Sequence, residues 1–158
     1  QIKLNNDSEI LLNTPPGVFL PTGTTTVLFN AVRAYIRKPG KMLDLGCGCG
    51  VVGIALHKVG LVKAPLYASD LSERAVNCLN KNTAFHNCPV VVKCGSLFEP
   101  WENEKFDYIV NDVSGIAMDV AGISPWYNNV SCQAGVDGTS LITKVIRMAP
   151  EHLNNTGR

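Results

Sequence analysis

The stretch that most constrains this chain covers residues 42–56, where a short apolar segment gives way to alternating glycines and then to a second apolar segment. The pattern predicts a strand, a glycine turn and the start of a helix. Gly46, Gly48 and Gly50 permit positive φ and let a ligand approach the backbone closely, and the amides of the helix N-terminus point into the same gap. Such a turn can serve chain geometry alone. Three alternating glycines preceded by Asp44 favour a ligand site.

The rest of the chain alternates segments that predict strands with segments that predict helices. Strands are expected over residues 65–70, 89–94 and 106–112, and helices over residues 24–36, 51–58, a segment capped by Ser72, and about 139–150. Parallel strands need crossover connections, so the alternation predicts an α/β fold with a mostly parallel sheet and helices on both faces. Ligands in such sheets bind beyond the carboxyl ends of the strands. The glycine turn, Asp70 and residues 95–96 and 111–112 are all expected there.

The length of 158 residues suits one folded domain. We expect residues 1–23 to form an N-terminal hairpin and lid segment and residues 24–158 to form the main domain. The 14 Lys and Arg nearly balance the 13 Asp and Glu, which gives a formal charge of +1 and no electrostatic sign of a nucleic-acid partner. A separate domain or subunit could still bind a nucleic-acid substrate. No apolar run is long enough to span a bilayer, so no membrane partner is expected.

The six cysteines form no C-x-x-C pair and have no companion histidines at zinc spacing, so no metal site is predicted. Free thiols in the reducing cytoplasm are the expected state. Cys47 and Cys49 lie in the glycine turn, where the geometry asks for small side chains, and a redox or metal role for them is disfavoured. The three histidines are scattered and are expected at the surface or at helix ends.

Asp70 is expected at the end of the second strand of the sheet, where its carboxylate can accept hydrogen bonds from both hydroxyls of a ribose. It also suits a helix N-terminus, where an acid interacts favourably with the dipole, and the two roles are compatible. A dinucleotide site prefers the pattern G-x-G-x-x-G. Here the third glycine is Gly50, one residue before the position that the pattern requires, and Val51 occupies that position. The turn is therefore a poor match for the pyrophosphate of a dinucleotide.

The sequence DLGCGCG at residues 44–50, with Asp70 closing the next strand, resembles the first two motifs of class I S-adenosylmethionine-dependent methyltransferases. Residues 17–21 before a Thr-rich helix start, residues 95–98, and residues 135–138 before an amphipathic helix are similar to the small-domain methyltransferases of the HemK type. Those enzymes methylate amide and amino nitrogens. The resemblance covers about residues 17–158. It implies a Rossmann-like fold, S-adenosyl-L-methionine as cofactor, and methylation of a nitrogen in a protein, nucleic acid or small molecule.

The resemblance also implies a set of site residues. Asp44 and the turn amides would hold the amino-acid end of the cofactor, and Asp70 its ribose. Ser96 stands where the family often has an Asp that binds the adenine amino group, so a weaker contact is expected. The cofactor-binding residues that it implies are Thr22, Asp44, Gly46, Cys47, Gly48, Gly50, Asp70, Leu71, Ser96, Leu97 and Asn111.

The chain departs from the family where the fourth strand ends. The family has Asn-Pro-Pro-Tyr, and this chain has NDVS at residues 111–114. Asn111 and Asp112 are the predicted catalytic residues that hold the methyl acceptor, Asp112 either as a proton acceptor or as a binder of a cationic group. Trp126 or Tyr127 could replace the lost aromatic ring. The departure also leaves an alternative open, which is a catalytically inactive S-adenosylmethionine-binding domain that serves as a partner or recognition subunit.

Residues 151–158 resemble the turn that leads into a fifth strand of such a sheet, so the fold is expected to lack its last strands. Without those strands, we expect an uncovered edge on the strand at residues 106–112 and an open apolar flank of the sheet, which favours aggregation. We therefore expect further strands of the same protein, or another chain, to complete the sheet.

Overall fold

The computed structural model describes residues 2–5, 8–127, 130, 132 and 134–158. Its strands and helices alternate along the chain as the sequence predicts, and each boundary lies within two residues of its expected place for the elements that build the main sheet. The elements are β1 Ile2–Asn5, β2 Ser8–Ile10, α1 Gly23–Tyr35, β3 Met42–Leu45, α2 Val51–Lys58, β4 Leu66–Asp70, α3 Glu73–Phe85, β5 Val90–Cys94, β6 Tyr108–Asn111, α4 Met118–Ile123 and α5 Ser140–Met148.

The main sheet has the strand order β5-β4-β3-β6, and every neighbouring pair is parallel. β3 is central, and all four of its residues are buried. Met42 packs into a core cluster with residues of α1 and α2, whereas Leu43 and Leu45 pack into a second cluster with Val145 of α5. Because successive side chains of a strand point to opposite faces, the two clusters show that both faces of the sheet are covered. The predicted α/β fold is confirmed.

The first two strands form a separate antiparallel pair, in which Ile2 is paired with Ile10 in the backbone register. The turn residues between them, 6 and 7, lie outside the described residues. After β2 the chain runs along α3 and then lines the cavity at the sheet edge with residues 17–21. The function of this segment as a lid, and the division of the chain at residue 23, stay predictions.

The outer edge of β6 is less open than the sequence predicts. The C-terminal segment at residues 152–158 runs beside it, the Ile109 amide donates to the Arg158 carbonyl at 3.0 Å, and the Arg158 amide donates to the Asp107 carbonyl at 2.9 Å. The expectation of a wholly uncovered edge is therefore corrected, because the chain folds back to satisfy these backbone groups. On the α1 side of β6 an apolar groove of about 340 Å³ remains, lined by Ala31, Val32, Tyr35, Ile36, Tyr108, Ile109, Val110 and Arg158.

The sequence predicts neither a strand nor a helix within residues 114–138, but the structure has a helix there. It is α4, a six-residue helix with no buried residue. A short exposed helix has no apolar stripe facing a core, so no periodicity predicts it. Among the described residues, no helix has both the length and the apolar character needed to cross a membrane.

Candidate active site

A cavity of about 420 Å³ opens at the carboxyl ends of β3, β4 and β6. Its walls come from the glycine turn after β3, the ends of the neighbouring strands, and residues 17–21. Eight of the predicted site residues line it, namely Gly46, Cys47, Gly48, Asp70, Leu71, Ser96, Leu97 and Asp112. The other four, Thr22, Asp44, Gly50 and Asn111, are not among the residues that line it. The cofactor-binding and catalytic roles of all twelve residues stay predictions.

The three glycines of the turn meet different surroundings. A Cβ on Gly46 would lie 2.9 Å from a methyl of Val113, and a Cβ on Gly50 would lie 2.8 Å from a methyl of Leu79. A Cβ on Gly48 would meet no described atom within 4 Å. The outer glycines therefore permit close packing of the turn, while Gly48 leaves open space on the cavity side where a ligand can approach the backbone.

Most amides of the turn already have protein acceptors. Those of Gly46 and Cys47 donate to the Ser69 carbonyl at 2.9 and 3.0 Å, and that of Gly50 donates to the Cys47 carbonyl at 2.7 Å. The Gly48 amide donates to Asp70 at 2.9 Å. These bonds make the turn rigid. An amide of the turn that also contacts the cofactor would have to share its hydrogen between a protein oxygen and a cofactor oxygen.

Asp70 connects the glycine turn to the start of α3. One carboxylate oxygen accepts from the Gly48 amide and the other from the Ser72 amide, both at 2.9 Å. Burial raises the pKa of Asp70, and the bonds from Ser72 and Gly48 oppose that rise. A carboxylate has about four acceptor sites, so about two remain for a ligand in the cavity.

Asp44 is 1% exposed and accepts from the Gly53 amide at 3.0 Å. Burial raises the pKa of Asp44 to about 7, and the negative charges of Asp112 and Asp70 add to that rise. Gly53 lies in the first turn of α2, so the carboxylate satisfies one of the amides that a helix N-terminus leaves without a partner. In the structure Asp44 therefore stabilises the start of α2, and it is not among the residues that line the cavity.

The NDVS segment folds into a defined wall of the cavity. The side-chain oxygen of Asn111 accepts from the Val113 amide at 3.2 Å, and the carboxylate of Asp112 accepts from the hydroxyl of Thr25 at 3.4 Å. The Ser114 hydroxyl donates to the Cys132 carbonyl. Partial burial raises the pKa of Asp112, and the Thr25 hydroxyl opposes that rise. Asn111 therefore has one of its two lone-pair directions occupied by its own turn.

A family model for the methyltransferase small domain matches residues 9–112, about two thirds of the chain. The match includes the glycine turn, Asp70 and the first two residues of the NDVS segment. The chain belongs to the methyltransferase small domain family. The predicted membership of the class I S-adenosylmethionine-dependent methyltransferases of the HemK type is confirmed.

Relatives of this methyltransferase domain include two kinds of named enzyme. The ribosomal protein L11 methyltransferase of Staphylococcus haemolyticus is 30% identical over 163 residues, which cover 99% of this chain and 51% of that protein. The release factor glutamine methyltransferase of Geobacter sulfurreducens is 29% identical over 147 residues, which cover 90% of this chain and 51% of that protein. The chain spans about half the length of the curated relatives it matches.

Solved structures show the same fold. A ribosomal protein L11 methylase from Lactobacillus delbrueckii subsp. bulgaricus superposes with a TM-score of 0.68 at 22% identity, over 99% of this chain and 76% of that one. A methyltransferase from Pyrococcus furiosus gives a TM-score of 0.64 at 18% identity, over 90% of this chain and 64% of that one. At these identities the likeness establishes the Rossmann-like fold.

The cofactor of this family is S-adenosyl-L-methionine, and the cavity of the methyltransferase domain fits it. Gly48 leaves space against the backbone, and Asp70 has acceptor capacity for hydroxyl groups. The charged residues among those that line the cavity are Asp70 and Asp112, both acidic. An acidic wall suits a ligand that carries a sulfonium and an ammonium.

Thr25 and Phe19 are cavity residues that the sequence did not single out. Thr25 is buried in α1 and bonds Asp112, which is 87 positions away. The run of threonines at residues 24–26 is the signal that could have indicated it, but Thr25 is the only buried residue of the three. Phe19 lines the cavity and stacks on Tyr127 with ring centroids 5.8 Å apart. The other proposed ring, the Trp126 side chain, lies outside the described residues.

The two cysteines of the turn have raised thiol pKa values. Burial raises the pKa of Cys49 to about 12 and that of Cys47 well above its usual value, and the charge of Asp44 adds to the rise at both. All six cysteines are free thiols. Since a thiolate is the nucleophile and the metal ligand, thiols held in this state have low reactivity.

Proposed function

We propose that this chain forms the cofactor-binding and catalytic part of a methyltransferase that transfers a methyl group from S-adenosyl-L-methionine to a nitrogen of a protein. The observation that carries the proposal is the single cavity shared by Asp70, the glycine turn and Asp112. Because Asp70, Gly48 and Asp112 line one space, a bound cofactor and an acceptor could meet there. The names of the relatives, which refer to ribosomal protein L11 and to a release factor, support a protein as acceptor.

Asp70 would accept hydrogen bonds from the ribose hydroxyls through the lone pairs that its two backbone bonds leave free. Leu71 and Leu97 line the cavity nearby and offer apolar surface for the adenine ring, with Ser96 as the polar neighbour. Leu97 has a φ of 47°, which is uncommon for a residue with a side chain. A conformation of this kind needs support from its surroundings and is often found at functional sites.

The bound cofactor supplies an electrophilic methyl group on a sulfonium, which is its own leaving group. The protein then has to position the acceptor in line and exclude water. Asp112 would receive a proton from the acceptor nitrogen or hold its positive charge, and Thr25 orients the carboxylate for either role. Asn111 retains one lone pair for the acceptor, since its other bond goes to Val113.

Titration calorimetry tests the cofactor. We expect heat of binding with S-adenosyl-L-methionine and none with NAD, because the turn lacks the glycine spacing of a dinucleotide site. Absence of binding by S-adenosyl-L-methionine would contradict both the enzyme and any cofactor-binding role. Binding of NAD alone would indicate a dehydrogenase.

A second candidate is a catalytically inactive domain that binds the cofactor and serves a partner. The observation that favours it is the engagement of Asn111 within its own turn, in a segment without the family's prolines and tyrosine. Incubation with a labelled methyl donor separates the two candidates. Label in the protein fraction supports our proposal, label in RNA or small molecules contradicts a protein acceptor, and no transfer by the full-length protein supports the inactive domain.

The reducing cytoplasm is the proposed compartment. Six free thiols, five of them buried, support it. Thiol alkylation of the protein, purified without reductant and unfolded before labelling, is expected to modify all six cysteines. Fewer than six would indicate a disulfide and an oxidising compartment.

A further inference from the structure

One buried side chain connects two walls of the cavity. Asn82 lies in α3 and is 3% exposed. Its amide nitrogen donates to the carbonyls of Asn13 and Cys49, both at 2.9 Å, and its amide oxygen accepts from the Asn13 amide at 2.9 Å. Three strong bonds satisfy most of what an amide side chain can form, and a satisfied buried polar group makes its surroundings rigid.

Both partners of Asn82 lead directly into the cavity. Cys49 lies in the glycine turn between Gly48 and Gly50 and lines the cavity itself. Asn13 lies four residues before the segment at residues 17–21, which forms another part of the lining. The bonds of Asn82 therefore fix the position of this N-terminal segment relative to the glycine turn.

Neighbouring residues of α3 hold the N-terminal segment as well, but they do not reach the turn through any bond in the described part of the chain. The Cys78 thiol donates to the Asn13 carbonyl at 3.0 Å, and a ring nitrogen of His86 lies 2.7 Å from the Leu11 carbonyl. These residues are spaced four apart from Asn82 and so share its face of the helix. Asn82 alone among the three bonds the glycine turn.

We infer that Asn82 is a positioning residue that sets the width of the cavity between the glycine turn and residues 17–21. Asn82 is not among the residues that line the cavity, and it acts by holding two backbone segments at once. The effect on cofactor affinity rests on the proposed function. The effect on the two backbone segments does not, so the two can fail separately.

Two variants and a matched control test the inference. Asn82→Ala removes all three bonds and a longer one, in which the amide nitrogen donates to the Cys78 sulfur at 3.5 Å. Asn82→Asp keeps the shape and the acceptor for the Asn13 amide, but it loses both donors and directs negative charge at two carbonyls. Thr83→Val is the control, because Thr83 is adjacent and equally buried at 2% exposure, and its hydroxyl bonds only the carbonyls of Leu79 and Asn80 within α3.

Hydrogen exchange of the whole chain without cofactor measures the geometry, at a temperature where circular dichroism shows each variant folded. We expect amides in both segments, residues 11–21 and 46–50, to exchange about tenfold faster in the Asn82 variants, as the loss of buried bonds predicts. Thr83→Val should change neither segment. Cys78→Ala should loosen residues 11–21 and leave the glycine turn protected.

Calorimetry with S-adenosyl-L-methionine measures the consequence. The dissociation constant should rise about tenfold for Asn82→Asp and stay within about twofold of the original for Thr83→Val. Unchanged exchange in the glycine turn, or equal losses in the control, would overturn the inference. So would failure of both Asn82 variants to fold, because it would place Asn82 in the folding core. Failure of the unmodified chain to bind the cofactor would count against the proposed function and leave the exchange result standing.

Discussion

Asp70 combines a structural role and a proposed ligand-binding role in one carboxylate. Asp70→Ala removes acceptors for the Gly48 and Ser72 amides together with those for a ribose. We expect calorimetry to show at least about tenfold weaker binding of S-adenosyl-L-methionine, equivalent to about 1.4 kcal/mol. Asp107→Ala is the control, since Asp107 also accepts two bonds but lies at the amino end of β6. Unchanged affinity in Asp70→Ala would rule out the ribose contact.

Two glycines of the turn predict opposite outcomes for the same substitution. Both have positive φ, 52° at Gly48 and 82° at Gly50, so alanine costs about 1–2 kcal/mol of backbone strain at either one. At Gly50 the new Cβ also meets the buried Leu79, which adds about 1–3 kcal/mol of overpacking. We expect Gly50→Ala to lower the melting temperature more, and Gly48→Ala to weaken cofactor binding more for a given loss of stability. Equal effects on both measurements would contradict the different surroundings of the two glycines.

At the scale of elements, the C-terminal segment runs beside the outer edge of β6 and forms some of the hydrogen bonds that a further strand would form. The Asn154 side chain donates to the carboxylate of Asp107 at 2.8 Å, and this bond is the largest cause that lowers the pKa of Asp107. Asn154→Ala should therefore raise the pKa of Asp107 and reduce the free energy of unfolding by roughly 1 kcal/mol. Carboxyl titration by NMR and urea denaturation measure the two effects. Asn155→Ala, at an exposed neighbouring position, should leave both unchanged, and an equal change there would argue against a specific bond.

The elements also show what the sequence could predict and what it could not. Apolar runs and glycines identified β3, its turn and α2, because strand burial and helix starts depend on local chemistry. The helix α4 was missed because none of its residues is buried. Contacts between distant segments, such as Asn82 with Asn13, arise only when the fold brings them together, and neither residue stands out in the sequence.

At the scale of the whole molecule, the sequence predicts that the glycine turn and Asp70 lie beyond the carboxyl ends of the strands, and both contribute to the cavity lining there. Asp44 and Asn111 are not among the lining residues, and the binding roles of all these residues stay predictions. A motif shows which residues lie near a site. The direction in which each side chain points depends on which nearby groups form hydrogen bonds with it. Asp44 turns to the Gly53 amide and Asn111 to the Val113 amide. These short bonds to nearby backbone groups are common for Asp and Asn, and they compete with a ligand for the same oxygens.

The burial of Asp44 makes the stability of the whole molecule depend on pH. Its folded pKa of about 7 exceeds the ordinary value of about 3.9, so between these limits the folded state keeps a proton that the unfolded chain releases. The free energy of unfolding should then fall as pH rises, by up to about 1.4 kcal/mol per pH unit, and level off above pH 7. Asp44→Asn removes this proton and can still accept from the Gly53 amide, so its stability curve should be flatter over the same range.

Urea denaturation at several pH values between about 4 and 8 measures this difference. Asp70 and Asp112 also have raised pKa values, but both carboxyls are present in both proteins, so most of their contribution cancels in the comparison. Asp107→Asn is the control, because the pKa of Asp107 is shifted in the opposite direction from that of Asp44. The bonds from the Asn154 side chain and the Lys41 backbone lower the pKa of Asp107, so its contribution to stability is present above the unfolded pKa and is lost as pH falls. Parallel curves for the original protein and Asp44→Asn would show that Asp44 has the same pKa in the folded and unfolded states. A contact that stabilises the charged carboxylate would then offset the effect of its burial.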